Sequence, residues 1–275
     1  MSPIGVLCLT IQSAHIVRWN RLLGSAPDPF VSIHINDAAE IARTKHLYHD
    51  FEPTWMETKY IVIYSLTGIL DLRLYDHHEY RRHTLLGETQ FQLSQLEEDM
   101  AHGGHNLPLR KGSKQRGDLL VNLAYYPVSK GAGTIPEYGE IYAARCMIYG
   151  LTFTLAPGIV TLHISEARRL APRGSTADDL STVAQVSFGY DDAVVHATCR
   201  ASGTNPVWET TCAFYCPSRA ECVIVVRIID DEDGVVGELS LRLDDLMEGN
   251  EWWPLSGCTS GDLRMSASWD VVSAT

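Results

Sequence analysis

The sequence predicts an all-β protein built as two eight-stranded antiparallel β-sandwiches in tandem. Three observations carry that expectation. The first is a repeat: Gly5 to Tyr126 is written again, in altered form, from Gly158 to Trp269. GVLCLTIQSAHIV (Gly5 to Val17) is answered by GIVTLHISEARRL, EPTWME around Trp55 by NPVWE around Trp208, and ILDLRLYD ending at Asp76 by VIVVRIID ending at Asp230. LLGETQFQLSQLEE (from Leu85) is answered by VVGELSLRLDDLME and GDLLVNLAYYP (from Gly117) by GDLRMSASWD, all in the same order and at a nearly constant offset. Such a period is too long for a solenoid or propeller blade, which repeat every ~20–50 residues. The second observation is period-two alternation in short runs, and the third is the turn residues that separate them.

In the first copy the runs come in order as Val6–Ile11, Phe30–Ile35, Tyr60–Ile63, Leu70–Tyr75, Leu86–Leu93 and Leu119–Tyr125. Gly24-Ser25, Pro27-Asp28-Pro29, Asn36-Asp37, Gly103-Gly104 and Lys111-Gly112 punctuate them as turn clusters. One short helix is expected at Leu93–Met100, capped by Ser94 with Glu97 and Glu98 in its first turn. The domains are read as 5–128 and 158–270, with Trp55 and Trp208 at equivalent corners. The linker, 129–157, begins tether-like and then turns apolar. That second part is expected to pack on one domain as an extra strand through Leu151, Phe153 and Leu155.

A hydrophobic fraction of 45% and a charged fraction of 20% are those of a globular chain long enough for two cores. No cleavable signal is expected, because no basic segment precedes the first patterned run. The apolar stretch Ala143–Ala156 carries Arg145 and falls short of the ~20 residues a membrane span needs. Seven cysteines, only Cys8 of them in the first copy, argue against a shared disulfide scaffold and for free thiols in a reducing cytosol. Charge is unevenly divided. Residues 5–130 hold thirteen Lys and Arg, fourteen Asp and Glu and nine of the eleven histidines, while 158–275 hold eight Arg, no Lys and eighteen Asp and Glu. The net charge of -12 argues against a nucleic-acid partner. No nucleophile–base constellation or phosphate-cradling loop stands out, so no enzyme is expected.

A GxLxVxI-type first strand, PDPFVSI at Pro27–Ile33, the Glu52-Pro53-Thr54-Trp55 corner, and LRLYD leading through a polar loop to LLGE together resemble the C2 domain. The resemblance implies a sandwich that docks on phospholipid membranes through loops at one end. Each copy opens on the GxL strand and closes on the GDL strand, which implies the permuted, type II topology. ARTK at Ala42–Lys45, SLTGILDLRLYDH and the closing YYPV look most like the tandem C2 region of fungal tricalbins, relatives of the extended synaptotagmins. By that resemblance the chain is expected in the cytoplasm, peripheral to membranes, at endoplasmic reticulum–plasma membrane contact sites. The membrane hairpin and lipid-transfer module of tricalbins are not seen in this sequence.

In that family, aspartates of the first and third loops converge on Ca²⁺, a hard cation wanting six to eight oxygens. Asp28 and Asp76 match two positions of the first copy; the others fall near Leu22, on His78 and near His83-Thr84. In the second copy Ser181 stands for Asp28, and the third loop is the short acidic turn Asp230-Asp231-Glu232-Asp233-Gly234. Asp28, Asp76, Asp230, Glu232 and Asp233 are therefore degenerate calcium positions, and neither copy is expected to take Ca²⁺, zinc or any other cofactor at regulatory affinity.

The first copy offers another chemistry. Its first loop, Val17-Arg18-Trp19-Asn20-Arg21-Leu22-Leu23, alternates cations with residues that enter the membrane interface. Its third loop, His77-His78-Glu79-Tyr80-Arg81-Arg82-His83, adds cations around an amphipathic tyrosine. Each Lys or Arg near an anionic surface contributes ~1 kcal/mol, and acidification would add charge on the three histidines. A second basic patch is read on a strand face at Arg43, Lys45, His46, His49 and Lys59; in relatives this face takes phosphoinositide head groups. The expected partner of the first domain is thus an anionic phospholipid surface, without calcium. The acidic second domain is expected to bind protein, or the first domain, rather than a bilayer. The rival reading is a scaffold of C2 folds that touches no lipid.

Overall fold

The alternating runs of the first copy become eight strands in the computed structural model: β1 (Gly5–Ile16), β2 (Pro29–Ile35), β3 (Ala42–Arg43), β4 (Thr54–Ile63), β5 (Ile69–Asp76), β6 (Thr84–Gln92), β7 (Ala101–Lys111) and β8 (Lys114–Pro127). The structure describes residues 1–17, 25–97, 101–129, 157–172, 180–189, 191–230, 234–247 and 252–272. The apolar part of the linker and the first loop's Arg18, Trp19, Arg21, Leu22 and Leu23 lie outside them, as do Glu232 and Asp233. The chain divides into two units, Met1–Pro127 and Val128–Ala274.

In the first unit the ladder runs β3-β2-β5-β6-β7-β8-β1-β4. Its two halves, β3-β2-β5-β6 and β7-β8-β1-β4, meet at a single rung, Glu88 opposite Arg110. One core of fully buried side chains, among them Leu7, Leu9, Ile33, Leu72, Leu74 and Leu123, draws on both halves. The second unit repeats this plan with β9 (Gly158–Ala171), β10 (Ser181–Phe188), β11 (Asp191–Ala197), β12 (Ala201–Ser202), β13 (Val207–Cys216), β14 (Val223–Asp230), β15 (Gly234–Arg242), β16 (Trp252–Pro254) and β17 (Ser260–Val271). Its sheets are β11-β10-β14-β15, with β12 beside β10, and β13-β9-β17-β16. Here too a single rung, Glu238 opposite Ser256, links the halves.

First and last strands are neighbours in both units: β1 pairs β8 and β9 pairs β17 along their lengths. That adjacency explains the glycines that open the repeat's outer anchors. A Cβ on Gly5 would stand 2.5 Å from the Tyr126 carbonyl oxygen, and one on Gly158 would stand 2.4 Å from the Trp269 ring. Gly117 is tighter still, with a φ of +155° and only 1.9 Å between its missing Cβ and the His15 carbonyl oxygen.

Trp55 and Trp208 occupy the same corner. Ser13 pairs Thr54 and Glu166 pairs Val207, and the next residues are the two buried indoles. Met56 and Glu209 follow in the left-handed region, and Ala14 and Ala167 donate N–H to the carbonyls of Pro53 and Pro206. The turn at Asn36-Asp37 is as read: both residues have φ near +55°, which Asn and Asp tolerate.

Two expectations change. Leu93–Glu97 is a 3₁₀ turn rather than an α-helix; it is fastened by the Leu93 N–H on the Gly68 carbonyl and buries Leu93 and Leu96. Gly103-Gly104 is no turn between elements but a bulge inside β7, where the register against β8 shifts between His102 and His105.

Replacing Gly117 by Ala is expected to destabilise the first unit by ~3 kcal/mol or more, since backbone must shift to admit the methyl group. Gly103→Ala, whose Cβ meets nothing within 4 Å, should stay within ~0.5 kcal/mol of the parent. Urea unfolding followed by hydrogen exchange of first-unit peptides measures both.

Candidate functional site

Three segments meet at one end of the first unit. Pro29 opens β2 opposite Asp76, which closes β5, and Asp76 in turn faces Thr84 at the start of β6. Loop 25–28 and loop 77–83 are therefore side by side. The segment 44–50 joins them because it runs along β2 without belonging to its sheet. Thr44 and Leu47 donate N–H to the carbonyls of Val31 and Pro29, Asp50 donates to Pro27, and the Thr44 hydroxyl accepts the Val31 N–H.

The two retained aspartates are occupied as hydrogen-bond acceptors. Asp76 Oδ1 accepts the Asp28 backbone N–H at 2.8 Å, and its Oδ2 lies 3.7 Å from His78 Nε2. Asp28 Oδ1 accepts both the backbone N–H and the ring Nδ1 of His49, each at 2.8 Å. Burial alone would raise the Asp28 pKa, but these bonds and the charges of His49 and His46 outweigh it and hold the carboxyl below its ordinary value. On its far side His78 meets Arg81, 3.5 Å from Nδ1 to Nη2. Two carboxylates enclosed by histidines and an arginine do not suit Ca²⁺, which asks for six to eight oxygens. Residues 18–24 contain no acid to add. Among the described residues no group of three His, Cys, Asp or Glu is arranged to hold a metal ion.

Around this core the histidines stack. His46 and His77 lie face to face with ring centroids 4.1 Å apart and planes 5° apart, and His77 and His83 are 4.9 Å apart. Phe30 of the PDPF motif packs edge-on to His83 at 4.9 Å and against Tyr75 at 5.6 Å, with the Arg43 guanidinium 5.3 Å above its ring. Burial, followed by the charges of His77, Arg43 and His78, pushes His83 below the ordinary histidine pKa. His83, one of the three loop histidines expected to gain charge on acidification, is thus reluctant to do so. It instead accepts the His78 N–H through Nδ1 at 3.1 Å.

The structure brings the two sequence-predicted patches together. A cleft of ≈ 590 Å³ is lined by Asp28, His46, Tyr48, His77, His78, Glu79, Tyr80 and Arg81. A second, of ≈ 360 Å³, shares His46 and His77 and adds Arg43, Lys45, Lys59 and Glu57. Arg82 is exposed and lines neither. The strand-face patch is weaker than its composition suggested. Glu40 ion-pairs Arg43, while Glu57 pairs Lys59 at 2.9 Å and accepts the Lys45 N–H. Tyr48 was not among the predicted residues. Its signal is the run His46-Leu47-Tyr48-His49, which interleaves imidazole and phenol as the third loop does.

In the second unit the clamp survives without the cluster. Ser181 donates its N–H to Asp230 Oδ1 at 2.7 Å, and Arg200 donates to the Ser181 carbonyl at 2.6 Å. Asp230 is buried. The unit's other arginines are largely neutralised: Arg168 and Arg169 converge on Asp262, Arg219 pairs Asp244, Arg227 pairs Glu238 and Arg264 pairs Glu166. The hydrogen bond from Arg169 and the charges of both arginines hold the Asp262 carboxyl below its usual range. Among the described residues no helix is long and apolar enough to cross a membrane.

A family model described as the C2 domain matches residues 5–109 and 158–255. Tricalbin-3 of Saccharomyces cerevisiae is 25% identical over 298 residues, an alignment that takes in 99% of this chain and 19% of the relative. Synaptotagmin-5 of Arabidopsis thaliana is 22% identical over 300 residues, covering 98% of this chain and 52% of the relative. The chain therefore spans about a fifth of the tricalbin and half of the plant protein. Among solved structures, the SMP domain of extended synaptotagmin 2 together with its two following C2 domains superposes with a TM-score of 0.67 at 18% identity, covering 98% of this chain and 57% of that one. The calcium-bound pair of C2 domains of the same protein gives 0.62 at 17% identity, with 98% of both chains covered. At that identity the superpositions establish the fold; the family match adds the descent. With matching ladders, matching tryptophan corners and a family match over both copies, the chain belongs to the C2 domain family, as two C2 domains in tandem homologous to the C2 regions of tricalbins and extended synaptotagmins.

Proposed function

We propose that this chain is a calcium-independent, peripheral phospholipid-binding module whose first domain docks on anionic membranes through its loop end. The supporting observation is the substitution of histidine for metal: His49 and His78 stand against the carboxylates Asp28 and Asp76 where a calcium-dependent domain needs free oxygens. Around them Arg81 and Arg82 are exposed, and Tyr80 is 93% exposed. A bare, amphipathic ring at a loop tip suits the headgroup layer. The first loop contributes Arg18, Trp19, Arg21, Leu22 and Leu23 on the strength of its sequence. Kinship with tricalbins and extended synaptotagmins supports membrane binding and, for the whole protein, a place at contacts between endoplasmic reticulum and plasma membrane. No catalytic role is proposed.

The second domain is assigned to protein binding. Its acid excess opposes an anionic bilayer, and Val194 and Val195 stand about half exposed on the edge strand β11, the kind of surface on which another chain adds a strand.

Binding to vesicles containing anionic lipid is expected to be the same in EDTA and in millimolar Ca²⁺, and to weaken as salt shortens the screening length. Changing Arg18, Arg21, Arg81 and Arg82 together to Gln removes up to ~4 kcal/mol of attraction, up to about a thousandfold in affinity. Co-sedimentation measures both. Equal sedimentation with neutral and anionic vesicles would leave the scaffold reading in its place.

If the aspartates serve as acceptors rather than as metal ligands, their loss costs stability with no calcium present. Asp76→Ala and Asp230→Ala strand the N–H groups of Asp28 and Ser181 and should each cost ~1–3 kcal/mol. Thermal unfolding in excess EDTA should show the full loss, and adding Ca²⁺ should not shift the parent's transition.

A further inference from the structure

We infer that the cleft between the His46–His77 stack and Arg81 is a binding site for the phosphomonoester headgroup of a membrane lipid of the phosphatidic acid type. The inference rests on the docking assignment made above for the first domain, and it names what the loop end selects.

The donors come first. Among the described residues the ring nitrogens of His46 and His77 have no hydrogen-bond partner; both rings are held by stacking alone. Each neutral imidazole keeps one N–H to give and each imidazolium two. Arg81 lines the same cleft with a guanidinium fork, the group best matched to phosphate oxygens. The adjoining cleft, which shares both histidines, brings Lys45 and Lys59 to the other side of the stack.

The acceptor's class follows from shape and charge. A phosphodiester headgroup offers two non-ester oxygens, carries a single negative charge and is tied on both sides. A phosphomonoester ends in three oxygens with a charge of about -1.5 to -2 near neutral pH, and it projects from the lipid, so it can enter a cleft of ≈ 590 Å³. Asp28 and Glu79 also line the cleft and oppose any anion. Asp28 is occupied by His49, and Glu79 is exposed. Their residual repulsion sets a threshold that the more highly charged ligand, with more hydrogen bonds to accept, crosses more readily.

Two rings at the opening favour a lipid over a soluble phosphate or a phosphopeptide. Tyr80 is 93% exposed and Tyr48 is 74% exposed. Such bare phenols gain from an interface where the ring enters apolar material and the hydroxyl stays wet.

The test uses the full chain in EDTA with two sets of phosphatidylcholine vesicles, matched for surface potential. One contains phosphatidic acid and the other phosphatidylglycerol. Affinity for the first is expected to exceed that for the second by about tenfold, the difference one good charge-assisted contact makes. The double variant His46→Gln/His77→Gln should bring the ratio close to one. Arg81→Gln and Lys45→Gln, at exposed positions, should lower it in the event that the double variant fails to fold. Equal affinity of the parent for both vesicles would overturn the site while leaving membrane docking intact; failure to bind either would overturn the docking assignment beneath it. Histidine ring resonances shifted by micromolar glycerol 3-phosphate without vesicles, or by a phosphopeptide, would overturn the lipid as the source of the phosphate.

Discussion

One carboxylate at the end of one strand fixes the loop end of each domain. Asp76 closes β5 and Asp230 closes β14, and each accepts the backbone N–H of the residue that leads into the neighbouring strand. Since β5 also pairs β6 at this point, the bond sets three chain segments in place at once. Such a position suits a metal ligand too, because the oxygens already sit where the loops converge. What decides between clamp and ligand is the remaining company. In the first domain the company is imidazole and guanidinium, and in the second it is a serine where the other copy has Asp28. The clamp itself is kept in both domains.

Much of this architecture is legible in the sequence, because its strongest signals are local and doubled. Gly5 and Gly158, Trp55 and Trp208, Gly117 and Gly261 repeat because each fills a backbone or packing constraint that recurs with the fold. Strand β7 escapes the reading because Gly103 and Gly104 imitate a turn while serving a bulge. The loop cluster is half legible. His77, His78, Tyr80, Arg81 and His83 are consecutive enough to be read as a unit. Their partners are not, because His46 reaches His77, and His49 reaches Asp28, only through the course of residues 44–50 along β2. The same lack of register information hid Glu40 and Glu57 beside the strand-face cations. Charge counts give a surface its sign; cross-strand neighbours decide how much of it is left to act.

The two copies have diverged in that residual charge more than in their frames. In the second domain five arginines among the described residues are ion-paired to carboxylates, while Arg200 and Arg242 donate to backbone carbonyls. The first domain instead keeps two imidazoles, His46 and His77, stacked on each other, while His49 and His78 stand against acids. Stacking holds a ring in position without using its nitrogens, so order and hydrogen-bonding capacity coexist. That combination is the ground on which a polar ligand is proposed for the first domain rather than the second.

Magnitudes then set the kind of docking to expect. Four arginines near an anionic surface supply about 4 kcal/mol, which corresponds to millimolar affinity. Even a single acyl chain, with an association constant of roughly 10⁴ M⁻¹, holds a protein to a membrane only marginally. Charge alone would therefore leave this domain mostly in solution. The docking proposed for this domain needs a second contribution, and two of different character come into question. Insertion of Trp19, Leu22 and Leu23, read from the sequence, would add affinity for any bilayer, while the headgroup site proposed between His46, His77 and Arg81 would add affinity for one class of lipid. Only the second of these would let the docking proposed above discriminate among anionic membranes of equal charge.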